Sequence, residues 1–115
     1  MKFFKKRFFQ QDIFTKRFWL FLYQRWTRGW DDSDLWGLDT TIAEFVVPRL
    51  KEFRNKTCTF PHDFTFEEWQ KAIDDMIYAL ETSAEEDLRW NKYRDWDRVR
   101  KGHKLFGRYF MDLWW

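Results

Sequence analysis

The sequence predicts an all-α fold, a compact bundle of about four helices joined by short connections. Four segments repeat apolar residues at intervals of three and four, which is the period of an amphipathic helix. Thr65 and Glu68 have the spacing of a capping box, a pairing that begins helices. No segment alternates apolar and polar residues as a half-buried strand does, and no hairpin dipeptide separates two β-branched runs.

Size and composition predict a single domain over residues 1–115. A chain of 115 residues is large enough for one core. Aromatic residues make up 23% of it, and each buried ring removes about 150–250 Å² from water. So small a core cannot hide all of these rings. We therefore expect some of them to be exposed at a ligand site, a partner surface or a membrane.

Residues 1–24 form a basic, aromatic arm, and the amphipathic helix predicted there continues to Trp26. The favoured interpretation packs its apolar stripe against the later helices. The other places the arm on an anionic membrane with its Phe and Trp side down. The longest apolar run, residues 18–23, is far shorter than the ~20 residues of a membrane-spanning helix. The predicted stripe consists of Phe4, Phe8, Ile13 or Phe14, Phe18, Leu22 and Trp26.

The second predicted helix follows an acidic turn. Gly29 ends the first helix, and residues 31–34 supply aspartate and serine as N-cap candidates. Apolar residues then recur at helical spacing over residues 35–53. Pro48 lies inside this pattern, and since proline removes a backbone donor, we expect a kink or a break there. Residues 54–65 are predicted to form a surface loop.

Two more helices complete the predicted bundle. The third begins at the Thr65–Glu68 box. Ser83 and Glu86 repeat the same spacing, which suggests that a new helix begins, or that the chain bends, near residues 82–84. Gly102 and Gly107 each weaken a helix by about 1 kcal/mol relative to alanine. We therefore expect close helix packing or a kink at these glycines.

The net charge of +2 is unevenly distributed. Residues 1–30 hold eight Lys or Arg and one acidic residue, whereas residues 31–115 have a net charge of −5. The basic arm could approach phosphate or an anionic membrane, although pairing with the acidic remainder of the chain is favoured. The acidic remainder disfavours a polynucleotide ligand, because it would repel the phosphate chain.

Catalytic and metal-binding motifs are not found in the sequence. There is no hydrolytic triad motif, P-loop or dinucleotide fingerprint, so we predict neither an enzyme nor a cofactor. Cys58 and His62 have a spacing compatible with chelation, but a buried thiol and a turn histidine are favoured. The acidic turn fails as an EF-hand loop, because Trp36 and Ala43 occupy ligand positions. A single cysteine also fits a reducing cytoplasm.

Residues 25–36 bring tryptophan, arginine and aspartate together. A flat ring stacks on a nucleobase, a guanidinium grips phosphate, and an aspartate accepts hydrogen bonds from ribose. In the alternative interpretation, which is slightly favoured, the tryptophans anchor the core, and the charged residues form salt bridges and cap a helix. The candidate ligand-binding residues are Arg25, Trp26, Arg28, Trp30, Asp31, Asp32, Trp36 and Arg49.

Three ordered motifs lie in residues 25–115: TRGWDDSDLWGLDTTIAEFVVPRLKEF, FTFEEWQKAIDDMI and GHKLFGRYFMDLWW. They resemble a family of small uncharacterised proteins encoded by tailed bacteriophages, whereas the first 24 residues fit this pattern less well. The resemblance implies a phage origin, expression in the cytoplasm of the bacterial host and a helical fold. It carries no established activity.

Three functional hypotheses follow. The first is a non-enzymatic counter-defence protein that sequesters a nucleotide-derived small molecule. The second is an interaction module that binds and inhibits a host or phage protein through an aromatic surface. In the third, residues 1–24 associate peripherally with the inner membrane. A homo-oligomer in which exposed rings meet across a dimer also stays open.

Overall fold

The computed structural model describes residues 16–115, so the part of the predicted arm before Lys16 lies outside the described residues. The described chain is helical, with no strand, and four of its helices have seven or more residues. This confirms the predicted all-α class. The elements are α1 (Lys16–Arg28), a 3₁₀ turn (Asp32–Leu35), α2 (Leu38–Lys56), α3 (Phe66–Ala84), the single-turn α4 (Glu86–Arg89), α5 (Trp96–Arg108) and a second 3₁₀ turn (Phe110–Asp112).

The chain divides into two compact units between Thr41 and Ile42. The first unit is described from Lys16 and contains α1 and the first 3₁₀ turn. The second unit contains most of α2 and everything after it. The prediction of a single domain over residues 1–115 stays a prediction.

In the first unit, α1 turns Phe21 and Arg25 inward, since these side chains are 2% and 3% exposed. The Phe21 ring meets the Trp36 ring edge-on, with 5.5 Å between centroids. The prediction that Trp26 continues the buried stripe is wrong, because this ring is 84% exposed. Arg25 takes the inward position instead, since the acidic turn neutralises its charge.

Helix α1 ends just before Gly29, as the sequence predicts. Gly29 has φ of 84°, in the left-handed region that favours glycine. Its amide donates to the Arg25 carbonyl at 2.9 Å, which closes the last turn of the helix.

The second unit is built around α3. This helix buries Trp69, Ile73 and Met76 completely, because its apolar residues recur at helical spacing. The capping box at its start is confirmed: the Glu68 amide donates to Thr65 Oγ1 at 3.2 Å, and the Thr65 amide donates to Glu68 Oε1 at 3.3 Å. The same buried cluster also contains Ala43, Val47, Leu50, Ala72, Ile77, Leu80 and Tyr109.

Gly102 marks the close approach of α5 to α3. A Cβ at this position would lie 2.1 Å from the Asp75 carbonyl oxygen and 2.6 Å from the Ala79 Cβ. This confirms the close packing predicted at Gly102. A Cβ at Gly107 would have no neighbour within 4 Å, so close packing does not explain that glycine.

Ion pairs join the helices of the second unit. Lys51 Nζ lies 2.8 Å from Glu81 Oε1, and Arg54 pairs with Asp74, so both contacts tie α2 to α3. Pro48 lies within α2, and the predicted kink at this residue stays a prediction.

Candidate functional site

A buried ion cluster holds the turn that follows α1. Arg25 Nε lies 2.5 Å from Asp31 Oδ2, and Arg25 Nη2 lies 3.5 Å from Asp34 Oδ1. All three residues are no more than 4% exposed. Removing isolated charges from water costs several kcal/mol per ion, so the two carboxylates are what allow the guanidinium to be buried here.

The same aspartates cap the 3₁₀ turn. Asp31 Oδ1 accepts from the Ser33 amide at 2.8 Å and from the Ser33 hydroxyl. Asp34 Oδ2 accepts from the Asp31 amide at 3.3 Å, which completes a capping box. Arg25 and Asp31, two of the predicted ligand residues, are therefore engaged by the protein itself.

A second, more exposed network lies beside this cluster. Arg28 Nη2 contacts Asp32 Oδ1 at 2.7 Å. The Gln24 side chain donates to Asp32 Oδ2 at 2.9 Å and accepts from the Asp32 amide at 2.8 Å. The hydrogen bonds from Gln24 and Arg28 lower the pKa of Asp32. Sequence reasoning missed Gln24, although its position four residues before Arg28 puts both side chains on one helix face.

Arg28 also holds Trp30. Its guanidinium lies 3.7 Å from the ring centroid, and its Nε donates to the Trp30 carbonyl at 3.1 Å. The structure thus brings three predicted site residues, Arg28, Trp30 and Asp32, into one corner of the first unit. Stacking of this kind is worth about 0.5–1 kcal/mol at an exposed position, so it orders the ring without burying it.

The remaining predicted residues do not join this corner. Trp36 is 56% exposed and carries the Arg17 guanidinium 5.3 Å from its ring centroid. Arg49 belongs to the second unit, where its guanidinium lies 3.7 Å from the Phe45 ring centroid and Nη1 donates to the Phe45 carbonyl at 2.8 Å. The assignment of the eight residues to a ligand site stays a prediction.

An outward row of aromatic rings follows the other face of α1. Trp19, Tyr23 and Trp26 are 58%, 65% and 84% exposed. Their spacing of four and three residues puts them on one side of the helix. We call these three residues the α1 ridge. Sequence reasoning did not single out Trp19 or Tyr23, because it followed one apolar stripe along a helix that carries two.

Metal-binding clusters are not found in residues 16–115, where no group of three His, Cys, Asp or Glu is placed to hold an ion. Cys58 is exposed, so the interpretation of its thiol as buried is wrong; the residue lies in the connection between α2 and α3. None of the described helices has both the length and the apolar character needed to cross a membrane. Comparisons with protein families, with curated proteins and with solved structures found no match.

Proposed function

We propose that the protein is a non-enzymatic interaction module whose α1 ridge docks into an apolar groove of a partner protein. Anchors at i, i+4 and i+7 on one helix face are the pattern by which helices bind such grooves. The observation that carries the proposal is the exposure of all three ridge side chains. The resemblance to phage proteins supports a partner in an infected bacterial cell, which the module would inhibit.

The residue types on the α1 ridge and the fixed position of α1 both favour high affinity for a partner. Tryptophan and tyrosine are enriched among the residues that dominate binding energy, and truncating one such residue costs about 2 kcal/mol or more. The buried pair of Arg25 and Asp31 holds α1 against the turn. A helix that is ordered before binding loses less conformational entropy on docking.

The charge of α1 supports a partner with an acidic rim. Residues 16–30 contain four basic residues and no acidic one, and Lys16 and Arg17 are exposed. Two copies of α1 placed face to face would bring like charges together. Carboxylates around the partner's groove would instead complement the ridge, speeding association and fixing its orientation.

Two other hypotheses compete with this one. A nucleotide site at residues 25–36 would need Arg25 and Asp31 to face a ligand, and they face each other instead. Membrane association through residues 1–24 also uses Trp19 and Tyr23, so vesicle binding is its distinguishing measurement. The buried ion pair favours the protein partner over the nucleotide.

Photo-cross-linking in bacterial cells tests the proposal. A photoreactive phenylalanine at position 23 captures the partner, which is then purified and titrated with the unmodified protein. We expect the variant Trp19→Ala, Tyr23→Ala, Trp26→Ala to bind at least about 100-fold more weakly. Trp114→Ala, Trp115→Ala is the matched control, because these rings are 63% and 72% exposed on the second unit. It should bind like the unmodified protein.

Three outcomes would overturn the proposal. One is unchanged affinity of the ridge variant for the captured protein. Another is binding to anionic vesicles that is lost in the ridge variant, which would establish the membrane hypothesis instead. The third is a thermal shift with a nucleotide that disappears in Arg28→Ala, which would establish the small-molecule hypothesis.

A further inference from the structure

The C-terminal part of the chain carries a local excess of positive charge. Residues 89–108 contain eight Lys or Arg and two Asp, a net charge of +6, although residues 31–115 together have a net charge of −5. The expected repulsion of a phosphate chain therefore does not apply to this part of the surface. The charge that a ligand meets is the local one, since salt screens exposed charges beyond about 10 Å.

The basic residues in residues 89–108 include two groups: one contacts α3, and the other faces solvent. Arg94 donates to the Thr82 hydroxyl and to the Tyr78 carbonyl, both at 2.8 Å, and Arg98 Nε lies 2.8 Å from Asp75 Oδ1. Both guanidinium groups also stack on the Tyr78 ring, 3.5 and 4.2 Å from its centroid. These two arginines join α5 and the segment before it to α3.

A second set faces solvent. Arg100, Lys104 and Arg108 are exposed and lie four residues apart on α5, one turn after another. We call these three residues the cationic row. Arg100 contacts Asp97 at 2.6 Å, but the two side chains are 65% and 92% exposed, and such pairs are weak. Within residues 16–115, neither Lys104 nor Arg108 forms an ion pair.

The cationic row borders a concave surface. An open groove of about 390 Å³ runs along α5 and contains four cationic side chains and one carboxylate. Its shape suits a chain that passes along the helix better than a small molecule that must be enclosed. The groove is lined by Asp97, Arg100, Lys101, Lys104, Leu105 and Arg108.

Exposed rings lie at the N-terminal end of the same helix. Trp90 and Tyr93, in the connection between α4 and α5, are 76% and 83% exposed, and Trp96 is 41% exposed. Trp96 lies one turn before Arg100 and on the same side of α5. The connection is held in place, because the Asp95 amide donates to the Tyr78 hydroxyl at 3.0 Å.

We propose that the cationic row and these three rings bind single-stranded nucleic acid. Cations that follow the backbone, combined with rings on which unpaired bases stack, are the two components of such sites. The bases of a duplex are already stacked on one another. A duplex would therefore contact the cations through its phosphates, but its bases would not stack on the rings. The same reasoning favours a nucleic acid over an acidic protein, which has no bases for the rings.

Fluorescence anisotropy of a labelled oligothymidylate with the full chain tests this proposal. We expect the logarithm of affinity to fall with the logarithm of salt concentration with a slope of about −2, since each neutralised phosphate of a single strand contributes about −0.7. Lys104→Gln, Arg108→Gln should weaken binding at least tenfold and reduce the slope to about −0.7. Asp97→Asn should strengthen binding, because it frees Arg100.

Two controls accompany this experiment. The first distinguishes the effect of the cationic row on binding from that of net charge, and the second tests whether the rings contribute to binding of a single strand only. Lys56→Gln, Lys71→Gln removes the same charge from exposed positions on α2 and α3, and it should retain the affinity. Tyr93→Ala should weaken binding of the single strand at least fivefold and leave any binding of a duplex unchanged. Circular dichroism checks that each variant is folded.

The proposal is overturned if the folded protein does not bind the oligonucleotide, or if the two charge variants lose affinity equally. Unchanged binding by Tyr93→Ala, with equal affinity for the duplex, would exclude the single-strand site. Binding to anionic vesicles without binding to the oligonucleotide would assign the surface to a membrane instead.

Discussion

Arg25 Nε lies 2.5 Å from Asp31 Oδ2, and both side chains are withdrawn from solvent. Replacing Arg25 by methionine would leave a buried carboxylate without its counter-ion. We expect the free energy of opening α1 to fall by about 3–5 kcal/mol. Hydrogen exchange of the α1 amides measures this quantity locally, which suits a chain with two compact units.

Arg28→Met is the matched control for that prediction. Arg28, the last residue of α1, pairs with Asp32, the first residue of the 3₁₀ turn, but the two side chains are 38% and 46% exposed. Removing the Arg28 side chain should therefore change hydrogen exchange of the α1 amides much less than removing the Arg25 side chain. Equal effects of the two substitutions would show that burial of the Arg25 pair is not what holds the turn.

Gly102 and Gly107 should respond in opposite directions to alanine. In Gly102→Ala the new Cβ meets the Asp75 carbonyl oxygen, so α3 and α5 must move apart and the free energy of unfolding should fall by about 1–3 kcal/mol. In Gly107→Ala the Cβ meets nothing, and the better helix propensity should add up to about 1 kcal/mol. Urea unfolding followed by circular dichroism distinguishes the two, and a stabilising Gly102→Ala would contradict the close packing.

The hydrogen bond from the Tyr109 hydroxyl to Asp63 Oδ2, 2.9 Å long, should make stability depend on pH. It lowers the pKa of Asp63 and raises the pKa of Tyr109. Its contribution is complete between the ordinary values of about 3.9 and 10. That contribution is lost as pH falls through the folded-state pKa of Asp63, and also as pH rises through the folded-state pKa of Tyr109.

Melting temperatures across this pH range check the prediction with Tyr109→Phe. The difference between the unmodified protein and the variant should be largest near neutral pH and should shrink at both extremes. Tyr93→Phe is the control, because Tyr93 is 83% exposed, and it should leave the melting curve unchanged. A constant difference at all pH values would show that the hydrogen bond is not the cause.

Much of the fold was predictable because its signals are local. The capping box at Thr65, the helix end at Gly29 and the close approach at Gly102 each depend on residues within one turn or on the size of one side chain. The inward position of Arg25 was not predictable in this way. It depends on two carboxylates that reach the guanidinium from beyond the end of the helix.

The candidate site was predicted in part. The favoured alternative for residues 25–36 made the charges salt-bridged caps and the tryptophans core anchors. The ion pairs are present at Arg25 and at Arg28. The tryptophans are not core anchors, since Trp26, Trp30 and Trp36 are 84%, 41% and 56% exposed.

Of the three residues of the α1 ridge, only Trp26 was among the candidate residues. Trp19 and Tyr23 were missed, since apolar spacing cannot decide which of two stripes faces inward when a charged residue is buried. The cationic row was missed because net charge was summed over a long segment rather than along one helix face.

The availability of the α1 ridge can be measured without knowing the partner. Hydrogen exchange of α1 is compared in the unmodified protein and in the variant Trp19→Ala, Tyr23→Ala, Trp26→Ala, with Phe21→Ala as the reference for a buried ring. If the ridge is free for a partner, the ridge variant changes the opening free energy by no more than about 0.5 kcal/mol, whereas Phe21→Ala lowers it by about 3–5 kcal/mol. If the ridge variant lowered the opening free energy of α1 as much as Phe21→Ala does, the proposal would be contradicted, because the three rings would then already stabilise the folded protein.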